Sequence, residues 1–164
     1  MEAWEGPIET GEIPVDGSSF DVIVVGGGPS GSAAASYNAM NGCKVLLIEK
    51  EVWPRDKICG DAVGGKSLSH VKELGVKEMV EGTPHFMVDS IVFGSANGNT
   101  VKVMLPQDEF EKKMAGYSLP RKQFDYMMFK RATEIVTEFG GSVIQGFNVK
   151  DVLEAKGKIT GVSG

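Results

Sequence analysis

The chain has 164 residues, 41% of them hydrophobic and 24% charged, which is the length and composition of one globular domain able to bury a core. A formal net charge of −5, with no basic run and no aromatic side chains interleaved with one, argues against a nucleic-acid partner. The two cysteines, Cys43 and Cys59, form neither a CxxC pair nor a disulfide framework, so a reducing, cytoplasmic compartment is expected.

Residues 1–19 place Glu2, Glu5, Glu9, Glu12 and Asp16 among Gly, Pro and Ser, and read as a flexible acidic leader; the alternative is a docking peptide anchored by Trp4. No basic residue precedes Lys44, as a secretory or transit signal would require, and no apolar run reaches membrane-spanning length. Membrane contact is therefore expected to be peripheral at most.

Residues 21–49, DVIVVGGGPSGSAAASYNAMNGCKVLLIE, predict a strand, a glycine turn, a helix and a second strand. Gly26, Gly28 and Gly31 fill G-x-G-x-x-G. The first permits a tight turn, the second lets a pyrophosphate approach the backbone, and the third lets the helix pack closely on the strand. Pro29 and Ser30 open the helix, and Pro29 sits where a missing N–H costs nothing. Phosphates then meet the free amides and positive dipole end of the helix N-terminus. Gly42 suits the helix C-terminus. The second strand, residues 44–48, ends in Glu49, followed by Lys50. A carboxylate there accepts both hydroxyls of an adenosine ribose and repels a 2′-phosphate. This predicts dinucleotide binding, without separating FAD from NAD.

Residues 51–65, EVWPRDKICGDAVGG, read as a loop, since Pro54 forces an extended conformation on the residue before it. The loop leaves the carboxyl end of the second strand, the ligand side of such sheets, making Arg55, Lys57, Cys59, Gly60 and Asp61 candidate contacts. Residues 66–80 predict a short helix with Leu68, Val71 and Leu74 on one stripe, stopping at Gly75. His70 and His85 read as bystanders, and no His, Cys and carboxylate spacing predicts a metal site. Residues 86–105 form two extended runs around Ser95-Ala96-Asn97-Gly98, a hairpin signal. Residues 106–116 are polar and read as a loop, and 117–120 as a short strand. A long helix then starts at Arg121, with Phe124, Met127, Met128, Ala132, Ile135 and Phe139 as its stripe, ending at Gly140-Gly141. An arginine in that first turn opposes the helix dipole and needs a reason. Strands over 142–145, 147–154 and 159–162, the last two joined by a Lys156-Gly157 turn, complete the reading. Met87, Met104 and Met114 are read as fillers of core gaps in preference to a tunnel lining.

Three segments together, DVIVVGGGPSGSAAA, EKEVWPRDKICGDAVGGKSLSHVKELGV and LPRKQFDYMMFKRA, resemble the N-terminal part of the geranylgeranyl reductase family. The P-R-x-K-x-C-G segment falls on Pro54, Arg55, Lys57, Cys59 and Gly60, and R-x-x-F-D on Arg121, Phe124 and Asp125. The resemblance implies an α/β fold of the p-hydroxybenzoate hydroxylase type. Residues 20–164 would be the N-terminal part of a Rossmann-like FAD-binding domain, with the 85–105 hairpin inserted into a substrate-side sheet. It implies FAD as cofactor, NAD(P)H or ferredoxin as electron donor, and an isoprenoid or lipid substrate whose C=C bonds are reduced. Contacts to FAD would then extend from the glycine turn through Glu49, Lys50, Arg55 and Lys57 to Cys59, Gly60 and Ala62. Arg121 would lie near the ribityl and phosphate part, and Val149 would meet the adenine through its backbone. Cys59 would lie close to the flavin ring as a possible proton donor. The family's chain continues past the point matching Gly164, to a Gly-Asp motif and the rest of the substrate sheet, so the sequence is expected to be an N-terminal piece. The alternatives are a flavin monooxygenase or halogenase of the same fold, whose members usually lack the Cys-Gly pair, and a catalytically silent FAD-binding fragment.

Overall fold

A computed structural model describes residues 6–105 and 116–164. They fall into two compact units, one running to Lys57 and resuming at Lys122, the other Ile58–Arg121. The first unit begins with β1 (Val22–Val25), whose β-branched side chains favour the extended backbone. It continues through the glycine turn into α1 (Pro29–Met40) and β2 (Val45–Glu49). β1 and β2 are parallel, with Val22 beside Val45 and Val25 beside Ile48, and every residue of β2 is buried. α1 buries only Ser32, Ala35, Ser36 and Ala39, so its axis lies close to the sheet. It ends as expected at Gly42, in left-handed conformation (φ 86°): Gly42 N–H donates to Ala39 O and Cys43 N–H to Asn38 O.

The second unit contains β3 (Ala62–Gly64), α2 (Ser67–Glu73), α3 (Lys77–Glu81), β4 (Phe86–Val88), β5 (Ser90–Gly94), β6 (Thr100–Met104) and β7 (Gly116–Ser118). β7 is the middle strand of a three-stranded antiparallel sheet, between β3 and β4. The stretch read as a loop over 51–65 thus ends in a strand. The short helix read within 66–80 stops at Gly75 (φ 71°) as expected, and a second helix, α3, follows it, with Val71, Leu74, Val76 and Val80 buried. The extended run 86–94 is also divided, at Asp89. Its first part pairs with β7, and only β5 forms the hairpin with β6. Asp89 O accepts Leu105 N–H (2.9 Å), and its carboxylate accepts the Ser90 hydroxyl (2.6 Å). That hydroxyl first, then the charge of Lys102, holds the Asp89 carboxyl below the usual range.

The hairpin turn lies where Asn97-Gly98 predicted it, as a three-residue loop closed by Ser95 N–H to Asn99 O with Gly98 at positive φ. Its cross-strand pairs Ile91–Val103 and Phe93–Val101 are exposed. Met87 and Met104 are 52% and 56% exposed, so these two methionines fill no core. Met114, Trp4 and nearly all of the 106–116 loop lie outside the described residues.

α4 (Arg121–Glu138) carries the chain back to the first unit. Its expected stripe is buried at Phe124, Met127, Met128, Ala132 and Ile135, whereas Phe139, one residue past the helix, is half exposed. From Gln123 to Phe129 the helix is buried on every side, including polar Gln123 and Asp125. β8 (Ser142–Gln145) then lies parallel to β2, with sheet order β1-β2-β8. The strand expected over 147–154 is present only as β9 (Asp151–Ala155), antiparallel to β10 (Lys158–Ser163). Phe147 N–H instead donates to Glu49 O (3.1 Å), extending the line of β8 past the end of β2. The β9–β10 turn has Lys156 and Gly157 both at positive φ (52° and 72°), as a type I′ turn requires.

The leader has fixed contacts of its own. Ile8 is buried, Gln145 Nε2 donates to Ile8 O (2.6 Å), and Gly11 N–H donates to Val143 O (2.9 Å), covering an edge of β8. The expected architecture, an α/β unit with a parallel sheet grown from a β-α-β glycine turn, is present.

Candidate cofactor site

The glycine turn is held on both sides. Gly26 adopts φ 106° and its N–H donates to Ile48 O (2.7 Å), closing the turn onto β2. Gly28 is the N-cap of α1, and no side chain caps the helix there, nor does any acidic residue occupy its first turn. A helix N-terminus left in this state is suited to an anion. The third glycine is required by close approach, because a Cβ on Gly31 would lie 1.8 Å from Gly26 O. The motif assigns no role to Gly27, yet a Cβ there would lie 2.5 Å from the Phe129 ring. Three consecutive glycines were the available signal.

Glu49 is 4% exposed, and both its oxygens accept backbone amides: Oε2 from Gly27 (2.6 Å) and Oε1 from Glu51 (2.9 Å). The acid that the spacing assigned to ribose hydroxyls therefore also ties the glycine turn to β2. A carboxylate offers about four lone-pair sites, so two amides leave acceptor capacity for hydroxyls.

A cavity of about 770 Å³ opens beside it, lined among others by Gly26, Gly28, Glu49, Lys50, Arg55, Lys57 and Val149. Seven of the residues singled out from sequence thus share one space, and Pro29, Ser30 and Gly31 form the first turn of α1 next to Gly28. Arg55 leans toward the turn, its Nη2 3.6 Å from where a Gly28 Cβ would be. Its Nη1 is 3.6 Å from Asp125 Oδ2, with the two side chains 13% and 1% exposed. Its Cζ lies 4.3 Å above the Trp53 ring.

The remaining predicted residues belong to the second unit. Cys59, Gly60 and Ala62 are exposed there. Arg121 N–H donates to Asp61 Oδ1 (3.1 Å), and Asp61 O accepts Leu119 N–H (3.1 Å). The Asp61 carboxylate at the start of α4 offsets the arginine that the dipole disfavours. His70 faces Glu73 (3.7 Å), and His85 Nδ1 is 2.8 Å from Thr83 O, with its ring edge-on to Tyr117.

The family model for FAD dependent oxidoreductases matches residues 21–163. The chain belongs to this family. Its cofactor is FAD, and the first unit fits the group. An uncapped helix N-terminus with a close-approach glycine suits the pyrophosphate, a buried carboxylate with spare acceptor capacity suits a ribose, and three cationic side chains, of Lys50, Arg55 and Lys57, line the same cavity.

This member of the family is 32% identical over 155 residues to the digeranylgeranylglycerophospholipid reductase of Methanocella arvoryzae, covering 90% of this chain and 35% of the relative. It is 31% identical over 145 residues to a 1H-pyrrole-2-carbonyl-[peptidyl-carrier protein] brominase of Pseudoalteromonas luteoviolacea, covering 87% and 32%. Among solved structures, the myxobacterial chondrochloren halogenase superposes with a TM-score of 0.74 at 27% identity, covering 87% of this chain and 32% of that one. The chain thus spans about a third of the length of these relatives. Among the described residues, no helix is long and apolar enough to cross a membrane.

Proposed function

We propose that this oxidoreductase reduces carbon–carbon double bonds of geranylgeranyl-type lipids or their precursors, and that residues 20–164 hold the ADP half of its FAD. The observation that carries the reading is the Arg55–Asp125 ion pair. It joins the P-R-x-K-x-C-G loop to the R-x-x-F-D helix, two of the three segments on which the resemblance to geranylgeranyl reductases rests. The likeness to an archaeal digeranylgeranylglycerophospholipid reductase supports an isoprenoid lipid as substrate, reached at a membrane surface by peripheral association. NAD(P)H or ferredoxin is the electron donor in this reading.

Bound there, the pyrophosphate would meet the backbone amides of Gly28, Ser30 and Gly31, with Gly26 and Pro29 shaping the turn that presents them, while Lys50, Arg55 and Lys57 would neutralise it. Glu49 accepts the ribose hydroxyls, Val149 meets the adenine through its backbone, and Gly60, Ala62 and Arg121 extend the contact toward the flavin. FAD, once bound and reduced, supplies hydride transfer, and the protein supplies orientation and electrostatics. Cys59 delivers the proton to the second carbon.

A second reading, halogenation or hydroxylation with O₂, is favoured by the superposition on the chondrochloren halogenase and the identity to the brominase. The two are separated by reducing the intact flavoprotein without O₂ and adding a geranylgeranyl lipid. Return of the oxidised flavin spectrum together with a more saturated lipid by mass spectrometry supports the reductase. No re-oxidation by the lipid, with halide-dependent product once O₂ is admitted, overturns it. Cys59→Ala is expected to lower kcat by about 10²- to 10⁴-fold; full kcat with FAD bound removes Cys59 from the reaction.

A further inference from the structure

We propose that Trp53 is a positioning residue that sets the Arg55 guanidinium against the phosphate-binding turn. The inference rests on the FAD reading of this site. Gly27, Phe129, Trp53 and Arg55 meet one after another. The Phe129 ring fills the space that a Cβ on Gly27 would need. The Trp53 ring stacks on Phe129, with centroids 5.2 Å apart and planes 21° from parallel. Arg55 lies over the Trp53 ring, its Cζ 4.3 Å from the ring centre. Its Nη1 edge faces Asp125, and Nη2 points at Gly28. The Trp53 backbone is fixed in turn, since its N–H donates to Gln145 Oε1 (2.9 Å).

An arginine side chain has many rotamers and gives up much of that freedom when it grips a phosphate. Held between an indole face and a carboxylate, Arg55 has given it up before the ligand arrives, which strengthens binding without any added contact to the ligand. The position needs an indole for its face and not for its N–H. Trp53 Nε1 is buried with no hydrogen-bond partner among the described residues, a loss that phenylalanine at this position would avoid. Indole is also the strongest cation–π platform among the aromatic side chains.

The test is a double-mutant cycle on the affinity of the intact apoprotein for FAD and for ADP, read by isothermal titration. R55Q is expected to weaken both ligands about 10- to 100-fold, as loss of a charge-assisted contact does. W53L is expected to weaken both by about 3- to 30-fold, the range of a desolvated cation–π contact. Adding W53L to R55Q should cost nothing further, because Trp53 acts through Arg55. Additive losses, or W53L affinity equal to that of the unsubstituted protein, overturn the proposal. If the leucine variant fails to fold, W53F carries the same cycle, with a smaller loss that again vanishes in the R55Q background. An unsubstituted protein that binds neither FAD nor ADP overturns the FAD reading itself, a result distinct from tight binding that Trp53 does not affect.

Discussion

Glu49 stands at the end of β2 with one oxygen on the Gly27 amide and the other on the Glu51 amide. Glu49→Gln replaces one of those acceptors by an NH₂ group, so one buried or partly buried amide loses its partner. Without FAD, this should lower unfolding stability by about 1–3 kcal/mol, seen as a lower denaturant midpoint at unchanged m-value. The spacing of Glu49 from the glycines was legible as a ribose ligand; its hold on Gly27 was not, since a side chain meeting a backbone 22 residues away leaves no pattern of residue types. The glycines can be ranked by the same geometry. Gly31→Ala drives a Cβ into a backbone carbonyl, which can yield only if α1 moves off β1, and about 3 kcal/mol or more should be lost. At Gly27 the obstacle is the buried Phe129 ring, a side chain that can turn about its own bonds, where at Gly31 it is backbone. Gly27→Ala should therefore cost less, about 1–3 kcal/mol in the same denaturation experiment.

Among the elements, α4 was the most readable and also the most incompletely read. Its 3.6-residue stripe predicted the buried Phe124, Met127, Met128, Ala132 and Ile135, because periodicity reports the face turned to a core. Burial of Gln123 and Asp125 could not be inferred that way, since their type predicts exposure and Asp125 is buried facing Arg55 from a distant loop. The start of α4 has the same character. Its N-terminal amide at Arg121 is met by Asp61, 60 residues earlier. Asp61→Ala should lower stability by about 1 kcal/mol, while Asp61→Asn, which keeps an acceptor oxygen, should lose less, with thermal unfolding as the measure. A reverse order would remove the cap from the account of why arginine is tolerated there.

On the scale of the molecule, the β-α-β unit was legible because all its determinants lie within residues 21–49: strand, turn, helix and acid in fixed succession. The three-stranded sheet of the second unit was not. β3, β4 and β7 have three residues each, too short for an alternation to register, and β7 is joined to β3 across about 50 positions. The leader was read from composition alone, which carries no trace of Ile8 lying buried under the Gln145 amide. That one side chain has a consequence for how the protein opens. Its Nε2 holds the leader at Ile8 and its Oε1 holds the loop at Trp53, so the two segments are latched to the same rigid post at the end of β8. Removing the residues up to Gly11 should therefore be felt at the rim of the cavity. Deuterium uptake at the Trp53 amide is expected to quicken roughly 2- to 10-fold, as for loss of one supporting hydrogen bond, while uptake within α1 stays as it was.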